Sequence, residues 1–415
     1  MIKNKTIISS GNGNYHMIFT ATEIFKRKQL KLLICGLYPT KFFTILYNKV
    51  KFIIPSDKIS IRKDKIPEIK IYSIWVSEVI IKLSNFFFKN FFKFLDNRIE
   101  YYGFIIFQKI SLLVLKNLNL NDVKIFHFRS GFGGNCLKYL KKNKILTICD
   151  HGIAHPQIIN YLIKNKGKFP KDNYKFYHND YLELVEDDIK NSDYVLVNSN
   201  FVKKTFIKSN IPSKKIFVLE QGVEDKFLNT LKNKKISKKN KELKILFAGS
   251  LTERKGIFDI QKSLGYLKKT NFKIHLAGPL NLVTKSKLNR LLTDDKVVYH
   301  GNLNKKKLSK LMLNSDILIL PSYVEGSPRV IFEAMACGCV IITTNNSGSI
   351  VKNNINGKII IPGKPKQIAN ALKYYIKNKN IVKNIANRNK KLIINKFNQK
   401  AYGKKLIEIY NKINV

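Results

Sequence analysis

The stretch Glu325-Gly-Ser-Pro-Arg-Val-Ile-Phe-Glu333, running on as Ala-Met-Ala-Cys-Gly-Cys to Cys339, follows the apolar run Ile317-Leu-Ile-Leu320. That order reads as a buried strand, a loop and then a helix, the repeating step of an α/β chain. Two carboxylates stand eight positions apart across the loop-to-helix junction. Ser327 is of the type that caps a helix, and Pro328 suits the first helical position, where a missing N–H costs nothing. The free N–H groups of that first turn, with the helix dipole behind them, form a site for phosphate. Glu333 falls about a turn and a half inside. There an ionised carboxylate accepts two hydrogen bonds from a vicinal diol. Glu325 stays in the loop, open to another hydroxylated group. Diphosphate, ribose and sugar together make a nucleotide-sugar, and that is the ligand these residues suggest.

Working outward, short β-rich runs alternate with helix-length segments along the whole chain, which predicts parallel sheets. The expected strands of the first half are 5–9, 30–35, 51–54, 124–127, 145–149, 194–197 and 216–219. Those of the second half are 244–248, 273–277, 297–300, 317–320, 340–343 and 358–361. Many end in small or glycine-containing turns, and in open parallel sheets ligands collect at those carboxyl ends. The polar, basic stretch 225–242 has no sustained apolar period and reads as a linker. Residues 366–380 and 382–414 read as basic helices.

With 415 residues the chain has room for two domains with substantial cores. Its net charge of +48 raises the question of a nucleic-acid partner. Eight of the 76 basic residues are Arg and 68 are Lys, spread through the chain beside abundant Ile and Asn. Nucleic-acid readers concentrate charge on one face and use Arg for bidentate contacts. The charge is therefore read as compositional bias plus a solvated surface, with attraction to an anionic membrane as a further use and no nucleic-acid partner. The five cysteines lack metal-ligand spacing, and Cys337 and Cys339 read as small buried thiols. The N-terminal apolar run is too short for a signal peptide. No apolar run between charges reaches the roughly 18 to 20 residues of a spanning helix. A cytoplasmic, reduced protein that touches a membrane without crossing it is expected. Residues 75–94 carry six Phe and three Lys. Two readings of this stretch stand, a helix at a membrane interface and a core helix of the first domain.

Four elements of the second half, in order, resemble glycosyltransferase family 4, retaining nucleotide-sugar transferases of the GT-B architecture. Phe247-Ala-Gly-Ser-Leu-Thr-Glu-Arg-Lys-Gly256 resembles the family's G-R-L-x-x-x-K-G loop. His275-Leu-Ala-Gly-Pro279 and Tyr299-His-Gly-Asn302 resemble the strand ends that follow. Glu325 to Gly338 is similar to E-G-x-P-x-x-x-x-E-A-M-A-x-G. In the first half, Asn191–Ser199 with Val218–Glu224 resembles the close of the family's N-terminal domain. Glu220, Gln221 and Glu224 depart there from its usual P-N-G-V-D.

The resemblance implies two facing Rossmann-like domains: an acceptor-side domain over 1–225, a linker over 226–243, and a donor domain over 244–397, with a last helix at about 398–415 packing back on the first. It implies donor binding by Gly11, Gly249, Arg254, Lys255, Ser327, Arg329, Val330 and Glu333. Lys255 would contact the diphosphate and Glu333 the ribose. Where the family's loop carries Arg this chain has Ser250, and Arg254 or Arg329 compensates. Catalytic roles fall to Glu325, at the donor sugar, and His151, which would orient or stabilise charge at the sugar carbon. His127 and His155 are weaker candidates. No Asp-x-Asp occurs in the chain, so no metal and no cofactor are expected. The expected acceptor is a glycan or glycolipid hydroxyl. A glycosidase reading of the two carboxylates conflicts with the commitment of Glu333 to a helix behind a phosphate-binding turn. A GT-B phosphorylase, a sugar-nucleotide-binding protein and a basic nucleic-acid-binding protein are the alternatives, the last predicting steep salt dependence.

Overall fold

The run Ile317-Leu-Ile-Leu320 is fully buried along its length, as a strand must be when helices cover both faces of its sheet. The computed structural model describes residues 4–13, 16–38, 40, 66–87, 93–170, 180–232, 242–267 and 270–413, and of 83–87, 93–97 and 232 the backbone only. Thirteen strands lie among these residues. The first sheet is built from β1 (Lys5–Gly11), β2 (Leu30–Cys35), β3 (Ile71–Ser73), β4 (Val123–Arg129), β5 (Leu146–His151), β6 (Tyr194–Val197) and β7 (Ile216–Val218). The second uses β8 (Leu243–Ala248), β9 (Phe272–Ala277), β10 (Val297–Tyr299), β11 (Ile317–Leu320), β12 (Val340–Thr344) and β13 (Gly357–Ile360). Both sheets are parallel, ordered β3-β2-β1-β4-β5-β6-β7 and β10-β9-β8-β11-β12-β13. The expected strand at 51–54 lies outside the described residues. β3 has no counterpart in the sequence reading, because three residues leave no pattern to read.

Each sheet order reverses direction once, between β1 and β4 in the first and between β8 and β11 in the second. Loops leaving adjacent strands at such a switch point diverge to opposite faces and leave a crevice between them. In the second sheet β8 and β11 pair Ile245 with Ile317 and Leu246 with Leu318. This register brings the loop after Ala248 beside the loop after Leu320.

The chain forms two compact units. One comprises Met1–His151, Tyr177–Leu196 and Ile211–Phe217; the other comprises Gly152–Phe176, Val197–Asn210 and Val218–Val415. The core of the second unit gathers β8, β9, β11 and β12 with Phe247, Phe272, Phe332 and Tyr375, all fully buried. The stretch expected as a linker begins instead as a helix, Asp225–Lys232. Its Phe227, Leu228 and Leu231 pack against this core, because positions three and four apart share one helix face. Residues 233–241 lie outside the described residues. The basic C-terminal region forms helices Pro365–Lys377, Lys379–Lys396 and Gln399–Ile413. Val223 N–H donates to the carbonyl of Phe397 (2.8 Å), within the second unit.

Trp75–Phe87 is a helix. It buries Ser77 and Glu78 and leaves Val76 exposed, while residues 88–92 lie outside the described ones. Among the described residues no helix is long and apolar enough to cross a membrane. All five cysteines are buried.

Candidate active site

In the second unit the loop after β8 carries Gly249, Arg254 and Lys255. Gly249 has φ +147°, and a side chain there would begin 2.9 Å from Lys255 Nζ; glycine admits both the backbone turn and the lysine. The carbonyl of Arg254 accepts the Tyr323 N–H (2.8 Å), and Arg254 Nη1 donates to the carbonyl of Val324 (2.8 Å). These two bonds join the loop after β8 to the loop after β11. Glu325 then meets both cations: its Oε1 lies 2.8 Å from Arg254 Nη1 and 3.2 Å from Lys255 Nζ. Glu325 is only 8% exposed, so its charge is poorly solvated and its paired cations matter.

The Glu325 loop is fixed from several sides. Glu325 N–H donates to the carbonyl of Asn346 (3.0 Å), and Asn346 Nδ2 donates to the carbonyls of Tyr323 (3.0 Å) and Gly167 (2.6 Å). Ser199 Oγ donates to the carbonyl of Gly326 (2.6 Å). Beyond this loop the helix Arg329–Ala336 starts one residue later than the sequence suggests. Pro328 sits at the cap position in extended conformation, and no side chain caps the helix. The cap expected of Ser327 is therefore not made, since Ser327 lies a position too early. Its buried Oγ has no hydrogen-bond partner among the described residues.

On this helix Val330 packs against the core. Arg329 pairs with Glu224 (Nη1 to Oε1, 3.1 Å), as does Lys305 (Nζ to Oε2, 3.6 Å). Glu333 is largely enclosed, and burial pushes its carboxyl above the ordinary range, with Arg329 and Lys305 pulling it down and Glu224 pushing it up. The structure thus brings Gly249, Arg254, Lys255 and Glu325 into one cluster, and places Ser327, Arg329, Val330 and Glu333 on the loop and helix that follow.

Gly11 and His151 belong to the first unit. Gly11 has φ +66° and lies against the ring of Phe132, where a side chain would collide. The glycine loop after β1 is held from outside. Arg129 Nη1 donates to the Asn12 carbonyl (2.7 Å), Ser77 Oγ donates to Asn12 Oδ1 (2.9 Å), and Glu78 Oε2 accepts the N–H groups of Gly13 (3.1 Å) and Leu37 (2.8 Å). Ser130 Oγ lies 2.8 Å from His151 Nδ1. Next to His151 in the chain, Asp150 Oδ2 lies 3.0 Å from His16 Nε2 and 3.2 Å from His127 Nε2. Burial alone would raise this carboxyl, but His16 and His127 outweigh it and hold it well below the usual carboxylate range. His127 is thereby a buried partner of Asp150. His155 caps the helix Pro156–Lys164, its ring accepting the Gln157 N–H (3.2 Å). A second buried carboxylate, Asp188, accepts N–H groups from Gly131 (2.7 Å), Gly133 (2.9 Å) and Gly134 (2.8 Å). Burial pushes it up to about 6 against those three bonds.

The sequence reading gave no role to Glu78, Asp150, Asn346 and Ser199, whose partners lie far off in the chain. Asp150 carried a signal, its place beside His151 at a strand end, and Ser199 closes the Asn191–Ser199 stretch quoted for the resemblance. Among the described residues no group of three or more His, Cys, Asp or Glu could hold a metal ion.

Two parallel α/β sheets, each with its switch-point loops, constitute the GT-B architecture. Residues 229–392 match the family profile described as Glycosyl transferases group 1, so this part of the chain is similar to that family. An uncharacterized glycosyltransferase of Methanocaldococcus jannaschii is 26% identical over 312 residues, covering 72% of this chain and 77% of that protein. The capsular polysaccharide biosynthesis glycosyltransferase CapM of Staphylococcus aureus is 27% identical over 235 residues, 52% of this chain and 61% of that one. The solved structure of Anabaena HepE with UDP and glucose shares the fold, with a TM-score of 0.59, 13% identity, and coverage of 99% of this chain and 100% of that one.

Proposed function

We propose that this protein is a glycosyltransferase that moves a sugar from a nucleotide-sugar donor to a hydroxyl of a glycan or glycolipid, with retention at the anomeric carbon. The observation that carries the reading is the cluster of Arg254, Lys255 and Glu325 at the switch point of the second sheet, with Glu333 on the helix that follows. Lys255 and Arg254 meet the diphosphate as point charge and planar fork. The N-terminus of Arg329–Ala336 adds N–H donors, with Gly249, Ser327, Arg329 and Val330 completing the donor contacts. Glu333 accepts from the ribose hydroxyls and Glu325 from the donor sugar. These cations and helix end neutralise the diphosphate in place of a divalent metal. Gly11 as a donor contact and His151 as a group stabilising charge at the sugar carbon rest on the family resemblance. A UDP-bound relative of the same fold supports a nucleotide donor. CapM, named for capsular polysaccharide biosynthesis, supports a setting in surface polysaccharide assembly; lipopolysaccharide or glycolipid assembly and a place at the cytoplasmic face of a membrane are part of the same proposal.

A thermal-shift panel of UDP, GDP, ADP and their sugars tests this. At least one nucleotide raises the melting temperature, and Glu333→Ala weakens its binding by about 1.5–3 kcal/mol, the worth of hydrogen bonds to a charged group. If no nucleotide stabilises the protein, the reading is wrong.

A further inference from the structure

Glu325 has two claims on it that exclude each other. The proposed function gives its carboxylate to the donor sugar and gives Arg254 and Lys255 to the donor diphosphate, yet Glu325 Oε1 sits on both cations, at 2.8 Å and 3.2 Å. We propose that Glu325 is an internal competitor of the diphosphate: it neutralises Arg254 and Lys255 until a donor arrives, and the incoming diphosphate displaces it toward the donor sugar. This inference rests on the diphosphate reading of Lys255 given above.

Three features of the cluster argue for exchange. First, the contacts are close in charge but not aligned as hydrogen bonds, since Glu325 Oε1 has no partner that meets hydrogen-bond geometry. A carboxylate so placed is held by Coulomb attraction and loses no directed bond when it leaves. Second, the frame around it is fixed. Arg254 Nη1 is bonded to the Val324 carbonyl, Glu325 N–H to Asn346 and the Gly326 carbonyl to Ser199. Displacement is therefore a rotation of one side chain, with the cations left in place. Third, one carboxylate faces two cations, and a diphosphate brings both more charge and more acceptor oxygens to the same pair.

Competition of this kind separates donor from product. A nucleoside diphosphate must evict Glu325 and leaves it without a new partner in a poorly solvated place. A nucleotide-sugar evicts it and supplies hydroxyls for it to accept from. The competitor thus weakens product binding more than donor binding.

Calorimetric titration of UDP and of inorganic pyrophosphate into wild type, Lys255→Gln and Glu325→Gln tests the proposal, with Glu325→Ala as a second variant lacking the carboxylate. Lys255→Gln is expected to weaken both probes. Both Glu325 variants are expected to bind them about three- to tenfold more tightly than wild type, the size of removing one partly screened charge contact. If Lys255→Gln weakens binding while the Glu325 variants bind no more tightly than wild type, the competitor is refuted and the diphosphate reading stands. If neither probe binds wild type, or Lys255→Gln changes nothing, the diphosphate reading fails and takes the competitor with it.

Discussion

The backbone N–H of Glu325 donates to the carbonyl oxygen of Asn346 at 3.0 Å, and the side chain of Asn346 reaches back to the carbonyl of Tyr323 in the same loop. One residue after β12 thereby clamps the loop after β11 at two points. Asn346→Ala removes the donors to Tyr323 and Gly167 and leaves two carbonyls unpaired in a buried place. The expected loss is about 2–4 kcal/mol of unfolding free energy, on the scale of about 1–3 kcal/mol per stranded group. Urea denaturation reads it, and a loss under 0.5 kcal/mol, within the ordinary scatter of surface substitutions, would show that the clamp is not structural.

Glu78 makes a comparable clamp in the first unit. The backbone N–H groups of Gly13 and Leu37 bond the same oxygen of Glu78, Oε2. Glu78→Gln keeps one carbonyl oxygen able to accept both, whereas Glu78→Ala strands two N–H groups. The alanine variant is expected to be less stable by about 2–4 kcal/mol, with glutamine recovering at least half. Equal losses in the two variants would mean that charge, and the Lys82 partner at 3.1 Å, matters more than the shared acceptor.

Asp188 gives a pH signature. Its carboxyl is raised to about 6 in the folded protein, so the native state binds more protons than the unfolded one between about pH 4 and 6. Its contribution to stability is full below the unfolded value and lost as pH rises through about 6, roughly 3 kcal/mol in all. Asp188→Asn is expected to be less stable throughout, with a flatter profile over that window. Urea midpoints from pH 4 to 7 measure both, and parallel profiles would refute the assignment.

Glu333 should make nucleotide binding pH-dependent in the opposite sense. The ionised carboxylate is the form that accepts from a diol, and burial raises its titration. Affinity should therefore fall on acidification at a higher pH than an ordinary carboxylate would give. Titrating the nucleotide against wild type and Glu333→Gln under matched conditions cancels the nucleotide's own protonation. A wild-type loss no steeper than the variant's rules Glu333 out as the ionised partner.

Much of this was legible in the sequence, for reasons particular to each element. Runs such as Ile317–Leu320 and Val340–Ile342 announce themselves because a strand buried on both faces is apolar without interruption. The loops of Lys255 and Glu325 were legible because glycine, proline and charge punctuate them. What escaped was of two kinds. Helix Asp225–Lys232 hides in a polar, lysine-rich background, where three apolar residues on one face make a weak period. The Glu78 and Asn346 clamps depend on side chains meeting backbone groups of other segments, and a hydrogen bond to a main-chain atom leaves no trace in the partner's residue type. Ser327 failed as a cap through a shift of one position, the common error at helix ends.

The bond from Val223 N–H to the Phe397 carbonyl has a consequence for synthesis. The two residues are 174 positions apart, and residues 152–176 and 197–210 also belong to the second unit. A ribosome releasing this chain has delivered the unit's early pieces long before the segment that secures its edge. Those pieces wait, partly uncovered, while the remainder is translated, since distant contacts close only once both ends exist. A ribosome-stalled chain ending near residue 390 should therefore leave Val223 open to exchange and the helix that follows it sensitive to protease, even with every strand of the second sheet already made.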